Sequence, residues 1–189
     1  MKTSPVVHIA ACCSLVSGTL LLGTGNTLAQ KDVRDWEIRF GRDHRTQAIQ
    51  TRVGYEMMNL TAQQVIKYGE RTDGINLVWD RWGRNVGLAN VKFEQDPDTA
   101  GPIYEGRATA VHVLNGGYLR YGERARGINL EWSQSPVYEW QIMHNVPPEP
   151  RDKVQLLVRI GLYNTKAQDY VIYCRRPYGI NLRWAQDCK

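Results

Sequence analysis

The hexapeptide Gly-Ile-Asn-Leu-x-Trp occurs three times, starting at Gly74, Gly127 and Gly179, which are 53 and 52 residues apart. A fixed period of this length marks a fold assembled from repeated supersecondary units, each unable to bury its apolar face alone. The likeness extends upstream. Six residues before each glycine stands a tyrosine (Tyr68, Tyr121, Tyr173), and eight before it an aliphatic residue (Ile66, Leu119, Val171). Further upstream, an apolar stretch ends in asparagine at Asn59, Asn115 and Asn164, followed by polar residues and glycines that read as a turn.

Each repeat therefore reads as strand, turn, strand, turn, strand. The spacing predicts first strands over 52–58, 108–114 and 156–163, and second strands over 64–69, 117–122 and 169–174. Third strands are predicted over 74–79, 127–132 and 179–184. Side chains alternate across a strand, so Ile75, Leu77 and Trp79 are expected on one face. A fourth strand follows repeat two at Tyr138–Ile142 and repeat one near 91–93, but none follows repeat three. The missing segment stands at the other end of the chain, where Trp36-Glu37-Ile38 matches Trp140-Gln141-Ile142. A strand from the N-terminal end that completes the last repeat would remove two exposed sheet edges.

Three repeats of four strands, each of about 50 residues, resemble the β-trefoil superfamily over essentially residues 31–189. The fold class expected is all-β, with repeats at approximately 50–94, 106–145 and 154–189 plus 33–40. Within that superfamily the ricin-type Gln-x-Trp signature is missing, and each repeat carries Asn-x-x-Trp instead. A solenoid or a propeller of three blades is the alternative architecture, and three is few for a propeller.

Residues 1–29 read as a secretory signal peptide: Lys2, an apolar run to about Leu22, and small residues at Thr27 and Ala29. Gly18, Gly23 and Gly25 interrupt the run too early for a membrane span. The domain expected is 30–189, secreted or periplasmic and without a transmembrane anchor after cleavage. Lipidation at Cys12, after Ile9-Ala10-Ala11, is the minor alternative. Beyond residue 29 the chain carries 23 Lys+Arg against 19 Asp+Glu, interspersed, with no basic stripe for nucleic acid. Two cysteines remain there, Cys174 and Cys188, and an oxidising compartment favours their pairing.

The repeated Ile, Leu and Trp are expected in the core, and the repeated Asn is expected to hydrogen-bond its local backbone. Ligand contacts are sought where the repeats diverge. One candidate is Asp80-Arg81-Trp82-Gly83-Arg84, where Trp82 and Arg84 offer an aromatic face and a guanidinium. A second candidate is the turn before each glycine, with Arg71, Arg124, Arg126 and Arg176. Asp96 and Asp98 are a weak calcium pattern. His44, His112 and His144 fall in no hydrolase or metal motif, and no phosphate loop or G-x-S-x-G is present.

No enzyme, metal or cofactor is expected. The function expected is a secreted binding module, first for carbohydrate on an extracellular glycan. The alternatives are a protein-binding module, such as a protease inhibitor or a toxin or effector subunit that meets a secreted or cell-surface protein, and a structural envelope-associated protein.

Overall fold

In the computed structural model, residues 32–40, 47–82, 90–95, 100–144 and 152–189 are described. The proposed signal peptide, Cys12, Arg84, Asp96 and Asp98 lie outside the described residues.

Twelve strands run in chain order: β1 (Trp36–Arg39), β2 (Gly54–Asn59), β3 (Gln64–Tyr68), β4 (Leu77–Asp80), β5 (Val91–Gln95), β6 (Thr109–Val113), β7 (Gly117–Tyr121), β8 (Leu130–Ser133), β9 (Trp140–Met143), β10 (Arg159–Asn164), β11 (Asp169–Tyr173) and β12 (Leu182–Trp184). One 3-10 turn follows at Ala185–Asp187. Six strands close a ring in which every neighbour is antiparallel, β1-β2-β5-β6-β9-β10 and back to β1. The other six lie outside it as three hairpins, β3–β4, β7–β8 and β11–β12.

This corrects the expected β-trefoil of three four-strand repeats. The strands divide as a closed six-stranded antiparallel barrel with six further strands outside, and the repeat is not the structural unit. β1 pairs β2 through Trp36↔Asn59 as well as β10 through Trp36↔Ile160, so it belongs to no single repeat. The physical reason is edge pairing. Four consecutive strands would leave an unpaired edge on each first strand, and only pairing across repeat boundaries satisfies those backbone groups.

A second correction concerns the third strands. They begin at the leucine, because Gly-Ile-Asn forms the turn: Leu77, Leu130 and Leu182 each donate an N–H to the isoleucine carbonyl two residues back, at 2.7 Å. The tight turn still sends Ile75, Ile128 and Ile180 into the core with the leucines, all at most 2% exposed. The repeated asparagines close the same turns. Asn76, Asn129 and Asn181 accept the N–H of Arg71, Arg124 and Arg176 through Oδ1, at 3.2, 3.2 and 3.1 Å.

The tryptophans and tyrosines interlock the repeats. Trp79 packs on Tyr173, Trp132 on Tyr68 and Trp184 on Tyr121, with ring centres 6.0–6.2 Å apart. Each pair joins two repeats, and the three pairs form a cycle. Beneath them Trp36 and Trp140 are fully buried, and their indole N–H groups donate to Val171 O and Leu119 O, both at 2.7 Å. Truncating either one would cost about 3–5 kcal/mol.

Both ends of the barrel are plugged. Each first strand leads from a buried β-branched residue (Ile49, Ile103, Val154) towards its hairpin. These three residues pass backbone hydrogen bonds in a ring: Ile49 to Val154 O, Val154 to Ile103 O and Ile103 to Ile49 O, at 2.8–2.9 Å. At the hairpin end Gly74, Gly127 and Gly179 converge, all at positive φ. A Cβ on Gly127 would stand 2.9 Å from Gly74 Cα, and one on Gly74 3.3 Å from Gly179 Cα. Between the plugs the barrel centre holds an apolar void of about 10 Å³ lined by Trp36, Leu77, Trp140 and Leu182, about the least that admits one water. Cys174 and Cys188 are disulfide-bonded, fastening the chain end to β11. Closing a loop of this length contributes about 3 kcal/mol.

The apex geometry predicts that Gly127→Ala destabilises the fold by about 1–3 kcal/mol, through φ strain plus contact with neighbouring backbone. Urea unfolding measures it, and an unchanged midpoint would refute the close approach.

Candidate functional site

The barrel interior is filled, and the described residues singled out from the sequence fall into two separate places on its outer surface.

The first is the outer wall at β1–β2. Trp36 and Ile38 point inward, so Glu37 and Arg39 point outward. Arg39 is the cross-strand partner of Glu56, and Met57 beside it is buried. Glu56 thus stands on the outer face, yet it is only 7% exposed. Trp82, just beyond β4, stands close by, and its indole N–H, the side chain's only donor, favours the charged Glu56 carboxylate. Burial pushes the Glu56 carboxyl above its ordinary range, opposed by Trp82 and by Arg39. The Arg39 guanidinium ion-pairs with Glu37 and lies 4.7 Å from the centre of the Trp82 ring. Trp82 itself remains 37% exposed. Phe40, 44% exposed, packs edge-on against Tyr55 next to this patch.

No second copy of this arrangement exists among the equivalent positions. Where Arg39 faces Glu56, the barrel has Glu94 facing Ala110 and Met143 facing Gly161. The patch is therefore a product of divergence. Arg39 and Glu56 went unrecognised in the sequence. The available signal was a charged residue inside the otherwise apolar Gly54–Met58 stretch, with Trp82 following the next hairpin.

The second place is the hairpin apex. Arg71 donates through Nη2 to Gly179 O at 2.6 Å, and Arg124 through Nη1 to Gly74 O at 3.0 Å, each reaching a neighbouring hairpin. Arg176 departs from this pattern, donating to Leu182 O at 3.1 Å in its own hairpin. Arg126 pairs with Asp73 at 3.3 Å and lies 5.0 Å from the Tyr178 ring centre. The structure thus brings Arg71, Arg124, Arg126 and Arg176 together and leaves Trp82 apart from them.

Two histidines belong to packing. His112 lies edge-on to Tyr118, whose hydroxyl donates to Glu94 at 2.7 Å. Burial and that carboxylate push the Tyr118 phenol up to about 12. His144 Nδ1 meets the fully buried Glu105 at 2.8 Å, while its Nε2 accepts the Gln155 N–H at 3.4 Å. That pattern needs the neutral imidazole, donor at Nδ1 and acceptor at Nε2. Burial holds both His112 and His144 below the ordinary value, against the opposing pull of Glu94 and Glu105.

No family model matches the chain, and neither the curated proteins nor the solved structures contain a match to it. Among the described residues no helix is long and apolar enough to cross a membrane.

The histidine environment predicts a pH response. With folded values below unfolded ones, the unfolded chain binds more protons in the intervening window, so stability is full at higher pH. It falls as pH drops from about 7.5 towards 5.5. Thermal melts should show this fall, and the His112→Gln/His144→Gln double variant should flatten it. An equal slope in the variant would contradict the assignment.

Proposed function

We propose that the protein is a secreted, non-enzymatic carbohydrate-binding module that recognises its ligand at the Trp82 patch. The observation that carries this reading is a large aromatic ring, 37% exposed, flanked by a buried carboxylate near its N–H and by a guanidinium 4.7 Å from its centre. A ring so flanked loses little rotamer freedom on binding. The apolar face of a pyranose stacks on such a ring. Vicinal hydroxyls need acceptors and donors close by, and Glu37 and Arg39 on the outer face are of both kinds. Only one of three equivalent walls carries these residues, which favours a single site at this position over three matched ones.

A glycan array probed with the protein tests the reading. The expected outcome is selective, sugar-competable binding that Trp82→Ala weakens at least 10-fold. Because Trp82 is surface-exposed, the variant should keep a melting temperature within a few degrees of the parent. Binding unaffected by the substitution would remove the site, and a blank array with folded protein would remove the carbohydrate reading.

A further inference from the structure

We propose that the hairpin apex is a second binding surface, one that takes the sulfate or carboxylate groups of an acidic polysaccharide. It lies on a different part of the molecule from the Trp82 patch and does not depend on it.

The convergence of three turns creates the surface. Because Gly74, Gly127 and Gly179 stand so close that a Cβ on any of them would come within 2.9–3.3 Å of another's Cα, the residues preceding each of them surround one point. Those residues are Glu70, Arg71 and Asp73 in the first turn, Glu123, Arg124 and Arg126 in the second, and Arg175, Arg176 and Tyr178 in the third. Five arginines thus meet three acids. The excess is not spread evenly. Repeats one and two place a glutamate before the conserved arginine, whereas repeat three places Arg175 there. Asp73 is already engaged by Arg126.

The arginines are also held in position. Arg71, Arg124 and Arg176 each have their backbone N–H bound by an asparagine side chain, and each anchors its guanidinium on a backbone carbonyl. A guanidinium carries five N–H donors in a planar fork, so the single anchor of Arg71 and of Arg176, and the two of Arg124 on Leu130 O and Gly74 O, leave donors for an anion. Like-charge crowding is evident at the third turn: burial first, and Arg183 second, disfavour the charged form of Arg176, with Asp187 opposing. An anion bound there would relieve both the crowding and the uneven charge.

The shape favours a polymer lying across the surface. The outermost residues of the turns, Thr72, Ala125 and Pro177, are exposed and small or ring-closed, so the relief is low. Tyr178, 51% exposed, offers one aromatic edge next to Arg126. Nucleic acid would call for a longer basic track with successive stacking rings. Charged repeats of a polysaccharide need only closely spaced guanidinium forks.

Binding of the full chain to dextran sulfate, polygalacturonate, polyglutamate, single-stranded DNA and neutral dextran, measured between 20 and 300 mM NaCl, tests the proposal. The expected result is binding to at least one acidic polymer, weakening at least 10-fold as salt rises, with none to neutral dextran. Arg175→Glu restores the residue that the other two repeats carry, so it should fold. Combined with Arg126→Ala, it should reduce binding at least 10-fold, while Trp82→Ala leaves it within twofold. Three outcomes would overturn the proposal: no binding at 20 mM NaCl, equal binding by the arginine variant, or binding to polyglutamate or single-stranded DNA as tight as to the acidic polysaccharides.

Discussion

The contact on which the rest of the structure depends is the meeting of three glycines at the hairpin apex. Gly74, Gly127 and Gly179 approach so closely that no side chain fits between them. Their positive φ values reverse the chain there without strain. From that point outward the other threefold features follow. The isoleucine and leucine after each glycine turn inward together, and the tryptophan two residues beyond reaches the tyrosine of another hairpin. The repeated motif is thus a set of interface residues, and its triplication reflects a joint that needs three matching parts. Sequence repetition here reports packing, and the copies differ on the outer surface.

Buried carboxylates reinforce the same joint from below. Asp35 accepts from Asn59 Nδ2 at 2.9 Å and from the Tyr173 N–H at 2.7 Å. Glu139 does the equivalent work for Asn164 and the Tyr121 N–H. In each case one acid at the start of a barrel strand ties a turn asparagine to a hairpin strand from a different repeat. Such charge-assisted bonds inside a protein fix geometry as well as adding stability, because each has few alternative partners. Removing one acid would leave several buried donors unsatisfied at once.

Much of the local structure was legible in the sequence. All twelve strands overlap segments picked out by alternation and repeat alignment, and the buried Ile and Leu positions follow from the same pattern, whereas of the repeated tryptophans Trp184 is buried and Trp79 and Trp132 are half-buried against the core. The pairing of Cys174 with Cys188 follows from there being two cysteines beyond residue 29. The division into six barrel strands and six outer strands was not legible as such. It depends on β1 pairing both with β10, through Trp36 and Ile160, and with β2, and the likeness of Trp36-Glu37-Ile38 to Trp140-Gln141-Ile142 does not reveal that double pairing. The third strands start later than the alternation predicts because the three-residue turn closed by the leucine N–H on the isoleucine carbonyl mimics the period of a strand, placing Ile75 and Leu77 inward alike. Asn115 departs from its two counterparts: it is exposed, with φ at 69°, whereas Asn59 and Asn164 are buried turn anchors. Of the Trp82 patch only Trp82 was visible, since Arg39 and Glu56 become its neighbours through the β1–β2 register.

The position of β1 has a consequence for how the protein is made. Its two neighbours in the ring are β2, which follows at once, and β10, more than a hundred residues later. The indole of Trp36 likewise waits for the carbonyl of Val171, 135 positions downstream. While the chain grows, β1 can settle against β2 but must hold one edge open until β10 has appeared. The closing step therefore joins strands more than a hundred residues apart. That makes it entropically demanding. Until it happens, the chain displays an unpaired strand edge beside an uncovered tryptophan, a combination prone to pair with another chain. The seam between β1 and β10 is where a nascent or stressed molecule is most exposed to misassembly.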